Sequence, residues 1–213
     1  VKSLGRPTIN AIIREREDNG EFHSMQDFIN RMVGDINKRT AEHLILSGAF
    51  DAFGHTRRGM LNVHERMIDS ALKQSKDAIS GQMSLFDLVS EEDKKSLEMK
   101  VPDIQEFDKE DLLEREKEVL GVYVTGHPLD EYTGMWEKHI SAKTTDFAVD
   151  EESGGTRVAD GSRQTIGGIV RNIKVITTKT GKQMAYITLE DLVGSTEILL
   201  FPRDYEKNRH ILD

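Results

Sequence analysis

Cysteine is absent from these 213 residues, which excludes disulfides, zinc ribbons and thiol catalysis. No apolar run approaches the roughly 18 residues of a membrane-spanning helix. The opening VKSLGRPTIN holds no apolar signal region, so a cytoplasmic protein without membrane partners is expected. Apolar residues are sparse as well, 37% against 31% charged, which favours several modest modules over one thick core. The first residue is not Met, and the expectation is a piece of a longer chain. Missing too are a phosphate loop, a nucleotide-binding glycine fingerprint, a nucleophile elbow and any His-Glu-x-x-His. The acidic strings EED at 91–93 and EFDKEDLLEREKE at 106–118 are interspersed with lysines and read as solvated surface rather than a metal site. The chain is therefore expected to have no catalytic residue, metal site or cofactor of its own.

What is present begins with an uneven charge. The net charge of −9 is confined to the middle. Residues 1–80 hold 12 basic and 11 acidic side chains, residues 81–162 hold 9 and 21, and residues 163–213 hold 8 and 6. Two slightly basic ends can face a polyanion while an acidic connector stays away from it.

The first block reads as four helices. One runs from about Pro7 to Asp18 before Gly20, a second follows the N-cap Ser24, and a third follows Asn37 and closes at Gly48. The fourth spans about Arg58 to Lys76, with Leu61, His64, Ile68 and Leu72 on one stripe and Met60, Met67 and Ala71 beside it. A short helix near 109–118 follows, and Pro128 opens another. From Thr165 the period becomes that of strands, with a bulge or bend expected at Gly167–Gly168 and strict alternation in QMAYITLED. The fold class expected is α+β: tandem helix-hairpin-helix motifs, the first truncated, plus a following helix over 1–77; an acidic linker over 78–107; connecting helices over 108–140; a loop over 141–164; and part of an OB-fold β-barrel over 165–213.

SLGRPTINAII and VGDINKRTAEHLI each place a tight turn just before a helix start. Free N–H groups and the dipole at a helix N-terminus bind phosphate, and a glycine lets backbone approach closely. Paired units of this kind hold duplex DNA by its backbone without reading bases. The residues in that role are Gly5, Arg6 and Thr8 in the first hairpin and Asn37, Lys38 and Arg39 in the second. Ser3 stands where the first glycine of an ideal hairpin lies, and Asp35 in the second hairpin does not invite phosphate, so the grip is expected to rest on the first. In the barrel segment, Arg171, Lys174, Lys179 and Lys182 with Tyr186 are the candidates for holding single-stranded DNA; Tyr186 and Phe201 are the two rings that could stack on bases, with the core the position expected for Phe201 beside Pro202.

Between these modules lies GQMSLFDL, which puts Leu85 and Phe86 side by side in a polar setting. A peptide that docks on another protein needs such anchors. At roughly 1.5–3 kcal/mol per buried side chain, the pair supplies about 3–6 kcal/mol before ordering costs, enough for weak binding that a tether makes effective.

The order of helical hairpins, GQMSLFDL, EKEVLGVYVTGHPLDEY and IGGIVRNIKVITTKTGKQMAYITLED, together with NKRTAEHLILSGAFDAFG, resembles the C-terminal region of the alpha subunits of bacterial DNA polymerase III, the C-family replicative polymerases. The resemblance covers nearly the whole chain. It implies a non-catalytic part of a DNA-directed DNA polymerase whose Mg2+-dependent active site lies in other domains. It further implies duplex contact by the hairpins, an OB domain facing single-stranded DNA, and other holoenzyme subunits as partners. Gln82, Met83, Ser84, Leu85 and Phe86 would then dock on the sliding clamp (beta) and make replication processive. An error-prone paralogue of the same family, or a stand-alone DNA-binding scaffold, are the alternative readings.

Overall fold

The structure is a computed structural model that describes residues 1–79, 99–150 and 154–212, the side chains of residues 78 and 79 excepted. It divides into two compact units, Val1–Thr125 and Gly126–Asp213. No helix among the described residues is long and apolar enough to cross a membrane.

The first unit is helical. Helix α1 (Arg6–Asn19) starts after Gly5 with Pro7 in its first turn and stops at Gly20. In α2 (Met25–Met32) the Ser24 hydroxyl accepts from the Asp27 N–H at 3.0 Å. In α3 (Lys38–Leu46) the Asn37 side-chain carbonyl accepts from the Thr40 N–H at 2.9 Å. Each cap satisfies a donor that the helix leaves free and so fixes where it begins. Met25, Phe28, Ile29 and Met32 recur at helical spacing and enter one core with Ala41, Leu44 and Ile45 of α3. Phe22, Phe28, Phe50 and Phe53 run through that core as successive ring contacts, with centroids 4.9, 4.9 and 5.4 Å apart.

Helix α4 (Arg57–Ile79) faces the core differently from the expected stripe. Met60, Val63, Met67, Ile68 and Ala71 are buried, whereas Leu72 is 38% exposed. Both α2 and α3 pack on α4, and the unbranched methionines with the small Ala71 fill the seam between them better than branched leucines would. His64 is buried, as that stripe required, and its Nδ1 donates to the Leu61 carbonyl at 2.8 Å.

Residues 99–107, within the segment read as linker, run across the start of α4. The Thr56 hydroxyl donates to the Ile104 carbonyl at 2.9 Å. The Glu106 carboxylate accepts from the N–H groups of Arg57 and Arg58 at 2.6 and 3.1 Å, placing negative charge at the positive end of the helix dipole. Gly59 is required by this crossing, because a Cβ there would lie 2.6 Å from the Pro102 carbonyl oxygen. The Arg57 side chain, 3% exposed, meets both Asp51 oxygens at 2.9 and 2.6 Å and the Leu46 carbonyl at 3.1 Å. Helix α5 (Lys109–Leu120), capped by Asp108, packs against α3.

The second unit holds a short helix α6 (Thr133–His139) and three antiparallel strands, β1 (Ile169–Thr177), β2 (Gln183–Glu190) and β3 (Ser195–Leu200), in the order β1-β2-β3. Helix α7 (Pro202–Leu212) follows. Ala185, Ile187 and Leu189 alternate onto the buried face of β2. The register shift falls between Val170 and Asn172, not at Gly167–Gly168; Gly168 instead lies so close to Glu190 that a Cβ would collide with its carbonyl. The fold shown is thus helical hairpins plus a small three-stranded sheet, with no closed barrel among the described residues.

Two pins hold this unit. The Trp136 indole donates to the Gly167 carbonyl at 2.7 Å. Asp191, 3% exposed, accepts from the Thr144 N–H and hydroxyl at 2.8 and 2.7 Å and from the Val193 and Gly194 N–H groups at 2.9 and 3.0 Å. His127 of the GHP turn accepts at Nδ1 from the Leu129 N–H at 3.1 Å and faces Glu190 with Nε2 at 3.8 Å. That geometry ties a turn to a strand.

Candidate nucleic-acid interface

The first hairpin is built on a tethered N-terminal stretch. The Lys2 N–H donates to the Val119 carbonyl at 2.7 Å, and His43 Nδ1 donates to the Lys2 carbonyl at 2.8 Å. Ser3 adopts φ +68, the left-handed region, so the position that takes glycine in an ideal hairpin keeps that conformation here with a Cβ in place. Gly5 is the N-cap of α1, and no side chain caps the helix. Its backbone is ordinary, φ −80 and ψ 158, and a Cβ there would meet only Pro7 Cδ at 3.5 Å. Nothing in the fold therefore demands glycine at residue 5. Gly34, in the second hairpin, likewise has nothing within 4 Å of a Cβ position. Both turns keep backbone bare where a side chain would fit.

The two turns are joined. The Thr8 hydroxyl donates to the Asp35 carbonyl at 3.4 Å, and α1 packs on α2. Arg31 sets that packing: its guanidinium meets the Glu15 carboxylate at 2.8 Å, the carbonyls of Glu15, Gly20 and Glu21 at 3.0–3.2 Å, and stacks over the Phe22 ring at 4.3 Å. The Glu15 hydrogen bond raises the Arg31 pKa, and the same bond lowers that of Glu15. Sequence periodicity gives no sign of this staple, because its partners are carbonyls at a helix end.

The cations at the turns are not equivalent. Arg6 and Arg39 are exposed, and neither has an ion-pair partner among the described residues. Lys38 is engaged, with Nζ 2.8 Å from Asp69 and 3.4 Å from Glu65, and the Asp69 hydrogen bond raises its pKa. Asn37 spends its side-chain carbonyl on its own helix. The first helix N-terminus is consequently open to an anion, while the second is partly closed by its cap and its acidic neighbours.

The strand candidates separate as well. Lys174 pairs across the sheet with Tyr186, and Lys174, Lys179 and Lys182 are exposed. Arg171 is held by Glu190, Nε to Oε2 at 2.7 Å, which sets it apart from the three exposed lysines. Phe201 is 59% exposed, contrary to the core position expected for it; Tyr205, one turn later, takes the buried place. Helix α7 adds three exposed cations that the strand-centred reading passes over, Arg203, Lys207 and Arg209. The peptide Gln82–Phe86 lies outside the described residues. Among the described residues no three histidines or carboxylates converge on a point that would hold a metal ion.

Comparison with known proteins supplies independent findings. A family model described as a helix-hairpin-helix motif matches residues 1–60. DNA polymerase III subunit alpha of Saccharopolyspora erythraea is 34% identical over 211 residues, which cover 97% of this chain and 17% of that protein. The same subunit of Mycobacterium tuberculosis is 33% identical over 211 residues, covering 96% of this chain and 17% of the relative. That of Escherichia coli K12 is 30% identical over 220 residues, covering all of this chain and 18% of the relative. The chain thus spans about one sixth of the length of these relatives.

Proposed function

Starting from a chain that is homologous along its length to the C-terminal region of DNA polymerase III subunit alpha, we propose that it is the DNA-holding and clamp-tethering part of a replicative polymerase. Duplex DNA docks on the two joined turns. Phosphates meet the open N-terminus of α1 at Gly5 and Thr8, and Arg6 and Arg39 supply charge. The observation that carries this is the pairing of two bare-backbone turns through Thr8 and Asp35, within a stretch matched by the helix-hairpin-helix model. Such contacts position the duplex without reading sequence, which suits a polymerase that must pass every template.

The three-stranded sheet with α7 is the first part of an OB domain that faces single-stranded template. Gln82–Phe86 is the peptide that enters an apolar pocket of the sliding clamp. Each contact alone is weak; held on one chain they act together, since binding at one raises the local concentration at the other. The parent protein is a DNA-directed DNA polymerase of the cytoplasm, assembled with further holoenzyme subunits, with Mg2+ held by domains other than this one.

The tethering half is tested by binding to purified sliding clamp. Leu85→Ala/Phe86→Ala should abolish micromolar binding and leave duplex affinity unchanged. Clamp binding that survives in the double variant would place the contact elsewhere and refute the peptide's role.

A further inference from the structure

Helix α7 and the β1–β2 hairpin enclose an open cleft of about 860 Å³, lined by Lys182 and Gln183 from the hairpin and by Arg203, Tyr205, Lys207 and Arg209 from the helix, with Glu206 its one carboxylate. Four cations against one acid is the reverse of the chain's overall charge of −9. Other basic side chains are neutralised where they stand: Arg31, Lys38, Arg57 and Arg171 each have a carboxylate within 3.5 Å. The four around the cleft are exposed and have no ion-pair partner among the described residues. Like charges crowd a surface at a cost that a polyanion relieves. At the mouth of the helix, Phe201 leaves its ring 59% exposed immediately before Pro202, a lining residue of the cleft.

We infer that this cleft is a binding site for a single DNA strand, with α7 as its principal wall. The inference rests on the single-strand reading given above and relocates the contact. Arg203, Lys207 and Arg209 with Lys182 neutralise successive phosphates, and Phe201 offers a face for one base. Cations that track a backbone, flanked by an unburied aromatic ring, are the combination that holds single strands without regard to sequence. Arg171, engaged by Glu190, takes no part. An isolated phosphate would use the same cations but gain nothing from Phe201, so the aromatic ring distinguishes a strand from a free anion.

The test uses the whole chain and a fluorescein-labelled dT oligonucleotide of roughly 16 nucleotides, the upper site size for one such domain, followed by anisotropy across a salt series. Arg203→Ala/Lys207→Ala/Arg209→Ala should weaken binding and flatten the log–log salt slope by about 2, near 0.7 for each phosphate no longer neutralised. Phe201→Ala should weaken it roughly 5- to 150-fold, the range for one stacked base, and leave the slope unchanged. Because all four side chains are exposed, an unaltered thermal unfolding midpoint is expected in both variants. If the oligonucleotide binds but only Lys174→Ala weakens it, the strand lies on the sheet and the cleft is overturned while the single-strand reading stands. If the wild-type chain holds duplex and no single strand, the single-strand reading and the cleft fall together. If triphosphate competes the oligonucleotide off and Phe201→Ala has no effect, the cleft is a free-anion site and the strand proposal is refuted.

Discussion

Replacing Gly5 with Ala separates what the first hairpin does from what holds it together. In the folded chain the new methyl group meets only Pro7 Cδ at 3.5 Å, an ordinary contact, and φ of −80 suits any residue. Alanine is a poorer N-cap than glycine, by about 0.5 kcal/mol. It also restricts the unfolded chain, which returns about 0.4–1 kcal/mol. The two nearly cancel, so the urea midpoint should scarcely move. Binding should respond quite differently. A methyl group on the surface that receives the phosphate pushes it off the N–H groups of the α1 terminus, and a hydrogen bond to a charged group contributes about 1.5–3 kcal/mol. Duplex affinity should therefore fall roughly 10- to 150-fold. Anisotropy of a labelled duplex, read beside urea unfolding of the same preparation, measures both. Unchanged affinity in a folded variant would refute close phosphate approach at Gly5, and a loss of stability well beyond about 1 kcal/mol would refute the claim that the fold is indifferent to this residue.

Two further predictions concern stability. Ser3→Gly relieves a left-handed conformation carried by a residue with a Cβ; it should raise the urea unfolding free energy of the first unit by about 0.5–1 kcal/mol, and a lower midpoint would contradict the strain. For Asp191, burial alone would raise the pKa, but the hydrogen bonds from Thr144, Val193 and Gly194 outweigh it and hold the pKa below the ordinary aspartate value. A depressed folded pKa gives stability that is present above the unfolded value, about 3.9, and is lost as pH falls through the folded one. The second unit should accordingly weaken from about pH 4 downward, and Asp191→Asn should be less stable at neutral pH with a flatter acid limb. An acid limb identical to that of the wild type would contradict the assignment.

Much of the helical unit is legible in the sequence because its signals are local. Ser24 and Asn37 mark their helix starts through bonds to residues three positions on, and Gly20 ends α1 with a positive φ. The buried face of α4 is not legible in the same way, because adjoining stripes of a helix differ by one residue's rotation and which one is buried depends on what packs there. Met60 and Met67 fall beside the expected stripe, Val63 lies outside it altogether, and Leu72 belongs to it yet faces solvent. Residues 99–107 give no sign of being a docked segment: the stretch has no period, and its anchors, Thr56 and Glu106, act across nearly 50 residues of chain. The candidate site shows the same division. Gly5, Arg6 and Arg39 stand out as turns beside positive charge, but only tertiary structure pairs Lys38 with Asp69 and Arg171 with Glu190. Phe201 illustrates the converse, since apolar character at a strand end says nothing about whether a neighbour arrives to cover it.

The central claim, that the paired turns hold duplex DNA by its backbone, is tested most directly by the salt dependence of duplex affinity. Anisotropy titrations with two duplexes of unrelated sequence, from low to physiological salt, should give one common line of steep negative slope. Arg6→Ala/Arg39→Ala should flatten that line by about 1.8, near 0.9 for each phosphate no longer neutralised, while Lys38→Ala, whose ammonium already faces Asp69, should change it little. Affinity that differs between the two sequences, or a slope that the Arg6 and Arg39 changes leave untouched, would contradict backbone recognition at these hairpins.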